Sequence, residues 1–529
     1  MTNRAAGAVL GLVLLALVGC TQTHRVSAPP LLEGPPNEFS GLQIPSGAVK
    51  EAVSKLDGLV AELMNNSGVP GLAVAVVYGG KTLYAKGFGV KDIRQGDAAG
   101  NRVGADTVFQ LASISKSLGA TVVAHEATDH VIGWDTPVAT KLPWLALSDP
   151  YVSDHVTIAD LYSHRSGLPD HAGDRLESLG YERGEVLARL KYLPLSPFRI
   201  SYAYSNFGLT AAAQAVATAA GKAWEDLAEQ VLYGPLGMTS TSSTYAGFAG
   251  RADHAVNHVK VADHYEARYQ RDPDAQSPAG GASSSVNDMA HWLNMLLANG
   301  VYNGRRIAAP EDLLPINTPQ VIALPASTPQ ARAGFYGHGF TVSVTSSGRT
   351  QYGHSGAFAS GAATTFAVLP SADVGIVVLT NAAPIGVPET LTAEFLDLVQ
   401  YGQIREDWAG RYRQAFAPML RPQGALVGQP PPTEPAPARP LNTYVGQYAN
   451  AYWGLATVRE RDGQLQLSLG PSNVTFDLTH WDGDTFTFPV SNPALVENAP
   501  PGTLSKATFT ANSLTCEYFN TEGLGTFTR

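Results

Sequence analysis

Two groups of strand-forming segments, separated by a long helical stretch, constrain the fold of this chain more than any other feature. The segments GLAVAVVY (71–78) and KTLYAKGFGV (81–90), joined by Gly79-Gly80, are typical of a β-hairpin. From about 107 to 300 the sequence is mainly helical, with loops rich in proline and glycine. Strands are predicted again in GFTVSVT (339–345), AATTFAVLP (362–370) and VGIVVLTN (374–381). The pattern therefore predicts one sheet whose strands are split by a helical insertion.

Amphipathic helices flank these strands on both sides in the sequence. Residues 49–66 place Val53, Leu56, Val60 and Leu63 on one stripe, and residues 388–402 form a second helical segment. A further helix inside the insertion is predicted from a capping box of Ser285 and Asp288 to the stop at Asn299-Gly300. Helices from both ends of the chain can thus cover the sheet, which gives an α/β layer plus an α domain.

The C-terminal part has a different composition. Residues 406–440 are predicted to be a linker, because RPQGALVGQPPPTEPAPARP (421–440) is dominated by proline. Residues 441–529 contain roughly eight short strand-like runs separated by Gly, Asn, Asp or Pro. This pattern predicts a small antiparallel β-barrel.

The first residues indicate export and lipid attachment. Arg4 precedes an uncharged run (5–18) that is too short to span a membrane. Leu17-Val18-Gly19-Cys20 resembles the lipobox of bacterial lipoprotein precursors; the alternative is a plain signal peptide with an incidental cysteine. The resemblance implies that residues 1–20 are a signal peptide and that Cys20 becomes the acylated N-terminus.

Several consequences for location follow from that resemblance. Thr21 after the cysteine, instead of aspartate, favours the outer membrane, so we expect a protein anchored on the periplasmic side of the cell envelope. Residues 21–45 are rich in proline and predict a tether, which leaves 46–405 for the main domain.

Composition argues against nucleic acid as a partner and against an intrachain disulfide in the mature chain. The chain of 529 residues carries a formal net charge of −10 and has no basic run, which argues against nucleic acid as a partner. Cys516 is the only cysteine besides Cys20, so the mature chain has no pair for an intrachain disulfide. Cys516 lies in a strand-like run, and we expect it to be a buried small apolar residue.

The helical half begins with a candidate nucleophile. In FQLASISKSLGAT (109–121), Ser113 and Lys116 lie three residues apart and share a helix face. A serine hydroxyl becomes a good nucleophile only when a base takes its proton, and a lysine of lowered pKa can do so. A polar helix start of no catalytic importance is the alternative, so the argument depends on partners elsewhere.

Two such partners follow in chain order. Tyr204-Ser205-Asn206 is a Tyr-x-Asn triplet in front of a predicted helix; a tyrosine can transfer protons and an asparagine can bind a carbonyl. His354 and Gly356 stand on an edge-strand candidate, where glycine lets a substrate backbone approach. The N–H groups of Ser113 and Ala357 are then candidates for an oxyanion hole.

These motifs, with LYSHRSGLPDH (161–171) and SPAGGASSSVNDMAHWL (277–293), strongly resemble the serine hydrolases related to class C β-lactamases. The group includes D-amino-acid peptidases and carboxylesterases, and the resemblance covers about residues 46–405. It implies a β-lactamase/transpeptidase-like antiparallel sheet flanked by helices with an all-α insertion. The C-terminal barrel resembles the lipocalin-like domain appended to some members.

The resemblance also implies roles for the motif residues. Ser113 would be the acylated nucleophile, Lys116 would polarise it, and Tyr204 would share the proton transfers. Asn206 would orient substrate and Lys116. His354 would stand where true class C β-lactamases carry lysine; since histidine is at most partly charged near neutral pH, it anchors a substrate carboxylate less firmly.

The expected activity is therefore hydrolysis of esters or of amides and peptides that contain D-amino acids. We expect no metal or cofactor; HEATDH (125–130) looks like a zinc helix, but H-E-x-x-H would need histidine at 129, where the chain has aspartate. His164 and Ser166 are interpreted as turn-stabilising. A true β-lactamase, and a non-catalytic lipoprotein that binds cell-wall peptide or a partner protein, remain alternatives, and the oligomeric state is left open.

Overall fold

The computed structural model describes residues 35–38 and 40–529, and Ser40–Arg529 form one compact unit. The predicted signal peptide, Cys20 and most of the tether lie outside the described residues and stay predictions. Within the described part, no helix combines the length and apolar character needed to cross a membrane.

Helices occur in the regions that the sequence predicts. In chain order they are α1 Ala48–Ser67, α2 Ile114–Thr128, α3 Pro150–His155, α4 Ile158–Tyr162, α5 Asp174–Ser178, α6 Arg183–Arg189, α7 Asn206–Ala220, α8 Trp224–Ala228, α9 Gly234–Leu236, α10 Tyr245–Ala249, α11 Val286–Leu297, α12 Pro310–Leu313, α13 Val387–Tyr401 and α14 Trp408–Phe416. Helices α2 to α11 lie in the insertion; α2 and α7, with 15 residues each, are as long as α13, and α1 is longer with 20 residues.

The strands fall into one large sheet, one barrel and three short pairs. They are β1 Gly71–Tyr78, β2 Lys81–Gly89, β3 Phe109–Gln110, β4 Val259–Val261, β5 His264–Glu266, β6 Ser283–Ser284, β7 Val301–Tyr302, β8 Arg305–Arg306, β9 Val321–Leu324, β10 Gly334–Tyr336, β11 Thr341–Val344, β12 Thr350–Phe358, β13 Ala362–Leu369, β14 Val374–Thr380, β15 Gly446–Asn450, β16 Gly454–Arg461, β17 Gln464–Leu469, β18 Val474–Asp482, β19 Thr485–Pro489, β20 Leu504–Phe509, β21 Ser513–Cys516 and β22 Thr526–Thr528.

The large sheet is antiparallel and is split in sequence, as predicted. Its order is β2-β1-β14-β13-β12-β11-β10-β9, so the N-terminal hairpin pairs directly with the last strand. In that pairing Val74 lies opposite Val378. Gly79 and Gly80 both have positive φ, as the tight turn between β1 and β2 requires.

Helices cover both faces of this sheet. Side chains alternate along β1, so that Val74 and Val76 pack with α1 and α13 while Ala75 and Val77 join the core on the opposite side, where α11 crosses. Strand β1 is buried on both faces for this reason. The insertion begins beyond this layer, and its helices α2, α4 and α7 pack against one another.

Two local expectations are wrong. The segment that carries His354 is not an edge strand, because β12 lies between β11 and β13. The pairing with β11 nevertheless ends at Gly353, which leaves the second half of β12 paired with β13 alone. At α11, Ser285 caps the helix as predicted, but Asp288 accepts hydrogen bonds from Ser240 N and Thr241 Oγ1 instead of completing a capping box.

The C-terminal strands form the predicted barrel. Strands β15 to β22 close on themselves, and Cys516 is fully buried inside, as expected. The barrel packs against the helical insertion: the Tyr181 hydroxyl donates to Trp453 O at 2.9 Å, and Asn498 Nδ2 donates to Ser178 Oγ at 2.9 Å. The range 406–440 is not wholly irregular, since it contains α14, which packs on α13.

The contact between α1 and the sheet gives a prediction for stability. Leu56 is fully buried on α1, so Leu56→Ala leaves a cavity and lowers the free energy of unfolding by about 2–5 kcal/mol. Lys55→Ala on the exposed face, which loses only a surface pair with Glu51, is the control and changes it by less than about 0.5 kcal/mol. Denaturant unfolding compares the two; equal losses would contradict the packing of α1.

Candidate active site

Ser113 lies at the first turn of α2, directly after the short strand β3. Strand β3 pairs with β6, and the Leu111 N–H donates to Ala282 O at 2.9 Å, which holds the approach to the helix. Ala112 has φ 48°, a left-handed conformation that is uncommon for a residue with a side chain. This strained turn places Ser113 against the sheet instead of continuing the strand.

Lys116 is buried one turn along the same helix. Its Nζ lies 3.0 Å from Ser113 Oγ and 2.8 Å from Ala279 O, which belongs to the turn Ser277–Gly281. The side chain is fully buried. Burial lowers the pKa of Lys116 to about 7, against the opposing effect of the Asp174 charge. A large fraction of the lysine is therefore neutral near pH 7, and a neutral amine can accept a proton from Ser113.

Tyr204, on the loop before α7, is the third predicted catalytic side chain. Tyr204 and Ser113 line the same cavity, and the Tyr204 ring centroid lies 4.6 Å from Lys116 Nζ. Burial raises the pKa of Tyr204 well above its usual range, which the Ser113 hydroxyl only partly opposes, so its phenol stays protonated in this state. The three predicted catalytic side chains thus meet around one hydroxyl group.

The loop that carries Tyr204 is held by His164. The Ser205 N–H donates to His164 Nδ1 at 3.1 Å, and the Ala203 N–H donates to His164 O at 3.0 Å. Burial, helped by the charge of Lys116, lowers the pKa of His164 well below its usual range. A neutral imidazole that accepts at Nδ1 supports the interpretation of His164 as a residue that stabilises the turn.

Asn206 is the first residue of α7 and forms a hydrogen bond with Asp174, a carboxylate that the sequence analysis did not identify. Its Nδ2 donates to Asp174 Oδ2 at 2.8 Å, and His171 Nδ1 lies 2.8 Å from the same oxygen. The hydrogen bonds of the described residues join Asn206 to Asp174, not to Lys116. Asn206 Oδ1 is buried without a partner, which leaves it available to another donor.

His354 lies on β12 with both ring nitrogens engaged. The Tyr336 hydroxyl lies 2.7 Å from Nε2, and Nδ1 lies 2.6 Å from Ser355 O. Since a carbonyl only accepts, Nδ1–H donates to it and Nε2 accepts from the phenol. Burial and the charge of Lys116 lower the pKa of His354 to about 3. His354 is therefore neutral at physiological pH.

Gly356 brings β12 close to the nucleophile. A Cβ at this position would lie 2.2 Å from Leu111 O, 2.4 Å from Thr364 Oγ1 and 3.1 Å from Ser113 N. No side chain fits there, so the strand passes Ser113 as closely as its backbone allows. Ala357 is the next residue, and it lines the same cavity as Ser113.

A cavity of about 410 Å³ opens in front of Ser113. Its lining combines the motif residues with side chains from distant parts of the chain, and it contains neither lysine nor arginine. The lining residues that the motifs did not indicate include His171, Tyr202, Tyr336, Gln351, Glu389, Thr392, Tyr412 and Met419. His171 ends the quoted segment LYSHRSGLPDH, but no local signal gives it or the other residues a place in the cavity, because each looks like an ordinary helix, strand or loop residue in its own segment.

The barrel reaches the rim of this region through Glu497. Its carboxylate accepts from Ala359 N at 2.7 Å and from Ser360 N at 3.1 Å, in the turn that joins β12 to β13. The C-terminal domain is thereby fixed to the strand that passes Ser113.

Family comparisons assign both parts of the chain. Residues 56–400 match the family model described as Beta-lactamase. Residues 430–513 match one described as a domain of unknown function (DUF3471). The barrel therefore has a recognised counterpart in other proteins, but its comparison to lipocalins stays a prediction.

Individual relatives agree with the main-domain match. Penicillin-binding protein 4 of Amycolatopsis lactamdurans is 30% identical over 67% of this chain and 90% of its own. An unguisins hydrolase of Aspergillus campestris is 26% identical over 75% of this chain and 74% of its own. Among solved structures, the octameric penicillin-binding protein homologue from Pyrococcus abyssi superposes with a TM-score of 0.58 at 19% identity. It covers 88% of this chain and 98% of its own, which confirms the predicted fold.

Proposed function

Because the chain belongs to the Beta-lactamase family of serine hydrolases, we propose that it hydrolyses esters or D-amino-acid-containing amides through an acyl-enzyme on Ser113. The observation that carries this proposal is the buried Lys116 amine, 3.0 Å from Ser113 Oγ with its pKa lowered to about 7. A base of that pKa beside a serine is matched to activating a nucleophile near neutral pH.

Acylation follows from the contacts around Ser113. The hydroxyl oxygen attacks the substrate carbonyl while its proton passes to the neutral Lys116 amine, which keeps its hydrogen bond to Ala279 O. Tyr204, beside Ser113 and Lys116, relays that proton to the leaving alcohol or amine as its bond to the carbonyl carbon breaks. In deacylation water attacks the ester carbonyl and gives a proton to the same pair; the bond from the carbonyl carbon to Ser113 Oγ then breaks, and the pair returns the proton to Oγ.

The developing oxyanion needs donors on the opposite side of the carbonyl. Within the described residues the Ser113 N–H donates to no protein group, and Ala357 on β12 lines the cavity beside it. Two backbone N–H groups in these positions suit a tetrahedral intermediate, and removal of one such donor typically costs about 10²–10³ in rate.

The electrostatics of the cavity favour substrates without a free carboxylate. His354 is held neutral, and the lining of the cavity has no lysine or arginine. Against the effect of burial, the hydrogen bond to Asp174 raises the pKa of His171, but this histidine is already paired with Asp174, so the anion of a β-lactam or of a C-terminal carboxypeptide finds no unpaired cation in this lining. Esters and uncharged amides do not carry this penalty, so we place β-lactamase activity second.

Substrate preference tests the proposal. A short p-nitrophenyl ester should be turned over faster than a chromogenic cephalosporin, and Ser113→Ala should reduce ester turnover by on the order of 10³-fold or more. Faster cephalosporin turnover would identify a β-lactamase. A fluorophosphonate that leaves Ser113 of the folded protein unmodified, with equal rates for mutant and wild type, would favour a binding protein.

The pKa of Lys116 predicts the pH profile. Protonated lysine cannot accept the serine proton, so kcat/KM for the ester should fall about tenfold per pH unit below pH 7 and level off above it. The comparison is Lys116→Arg, which keeps a positive charge but removes the base, and should reduce turnover at every pH. A flat wild-type profile between about pH 5.5 and 8.5 would contradict the role of Lys116 as the base.

We also propose that Cys20 is acylated and anchors the protein on the periplasmic side of the outer membrane. The support is the lipobox-like Leu17-Val18-Gly19-Cys20. Cys20→Ser should move the protein from the membrane fraction to the soluble fraction and abolish incorporation of labelled palmitate, while ester turnover persists. Unchanged fractionation and labelling would indicate a plain signal peptide.

A further inference from the structure

One buried carboxyl group in the cavity is not used by the mechanism above. Glu389 lies in the first turn of α13, is 6% exposed, and lines the cavity that contains Ser113. Within the described residues neither of its carboxylate oxygens forms a hydrogen bond, although the Ser355 hydroxyl in the same lining favours its ionised form. Unpartnered buried carboxyls are costly, so a group of this kind requires an explanation.

Its surroundings hold further polar groups but neither lysine nor arginine. Thr392, one turn along α13, lines the same cavity, and its hydroxyl is also buried without a partner. Tyr412 of α14 lies close by: burial, and next the Glu389 charge, raise the pKa of Tyr412 to about 12. The lining has no lysine or arginine, and its histidine of raised pKa, His171, is paired with Asp174, so the protein supplies no ion pair for Glu389.

A purely structural role for Glu389 explains these observations less well. An acidic residue in the first turn of a helix is stabilised by the helix dipole, and its own backbone N–H favours the ionised form here. Burial nevertheless dominates and raises the pKa of Glu389 to about 7, so the dipole does not compensate for the loss of water. The Ser355 hydroxyl also favours the ionised form, but neither oxygen of Glu389 forms a hydrogen bond within the described residues, and the two effects together do not offset burial.

We propose that Glu389 makes the α13 side of the cavity a binding site for a positively charged group, of the ammonium class, on the substrate. The inference rests on the proposed function, in which this cavity holds the substrate of Ser113. An ammonium group would supply the partner that the carboxylate lacks, and the aromatic walls at Tyr336 and Tyr412 suit a cation. The site therefore selects substrates with a positive charge, not substrates with a carboxylate.

Matched substrates test the charge alone. One pair is acetylcholine and its isostere in which carbon replaces the ammonium nitrogen, which places the charge on the leaving group. The other pair is the p-nitrophenyl ester of a trimethylammonio-alkanoate and its all-carbon isostere, which places it on the acyl group. For at least one pair, wild-type kcat/KM should favour the cationic ester by about tenfold or more.

Variants on one helix then assign the preference. Glu389→Gln, which is isosteric and neutral, should bring the ratio of cationic to neutral turnover close to one. Glu394→Gln is the control, because this second acid of α13 also has a pKa raised to about 7, by burial and then by Glu62, but does not line the cavity. Glu389→Asp keeps the charge and should keep part of the preference, even where Glu389→Gln folds poorly.

A binding measurement separates this inference from the proposed function. Choline should bind to the Ser113→Ala protein more tightly than its all-carbon isostere, and Glu389→Gln should abolish the difference. That result supports the cation site even if no ester is hydrolysed. Equal turnover and equal binding of charged and neutral members in both pairs, or a preference that survives Glu389→Gln, would overturn it while leaving Ser113-dependent hydrolysis intact.

Discussion

The burial of one lysine beside one serine is the constraint on which the rest of the site depends. Lys116 has its model-peptide pKa in the unfolded chain and about 7 when folded, so the folded protein binds fewer protons. The resulting loss of stability is greatest below about pH 7 and disappears above the unfolded pKa; by linkage it amounts to several kcal/mol. Ala279 O, on the Ser277–Gly281 turn, is the one fixed backbone acceptor that partly offsets this cost.

Three regions of the chain surround the Lys116 amine and bury it from water. Helix α2 supplies the serine and the lysine, the loop before α7 supplies Tyr204, and β12 closes the remaining side at Gly356. Each wall has its own support: a positive-φ turn at Ala112, the His164 imidazole under the Tyr204 loop, and the barrel carboxylate of Glu497 on the β12–β13 turn. A rigid scaffold of this kind holds reacting groups in position at little entropic cost during reaction.

The buried polar side chains in and around the cavity differ in whether other groups of the protein form hydrogen bonds with them. His354 receives a hydrogen bond from Tyr336 and stays neutral, and Asp174 is shared by His171 and Asn206. Within the described residues Glu389 forms no such hydrogen bond. The cavity thus offers a neutral imidazole at His354 and a buried acid at Glu389.

Sequence alone determined the parts that depend on local periodicity and short spacing. The stripe through Leu56 predicted α1, the Gly79-Gly80 turn predicted the first hairpin, and the spacing of three from Ser113 to Lys116 placed both on one helix face. What it could not provide is the position of β12 inside the sheet, the contact of Asn206 with Asp174, and the arrival of Glu389 in the cavity. These depend on pairing between residues far apart in the chain, where no periodicity connects the partners. Whether Lys116 is neutral was also decided only by the tertiary structure, because a pKa follows from burial and neighbouring charges and not from residue type.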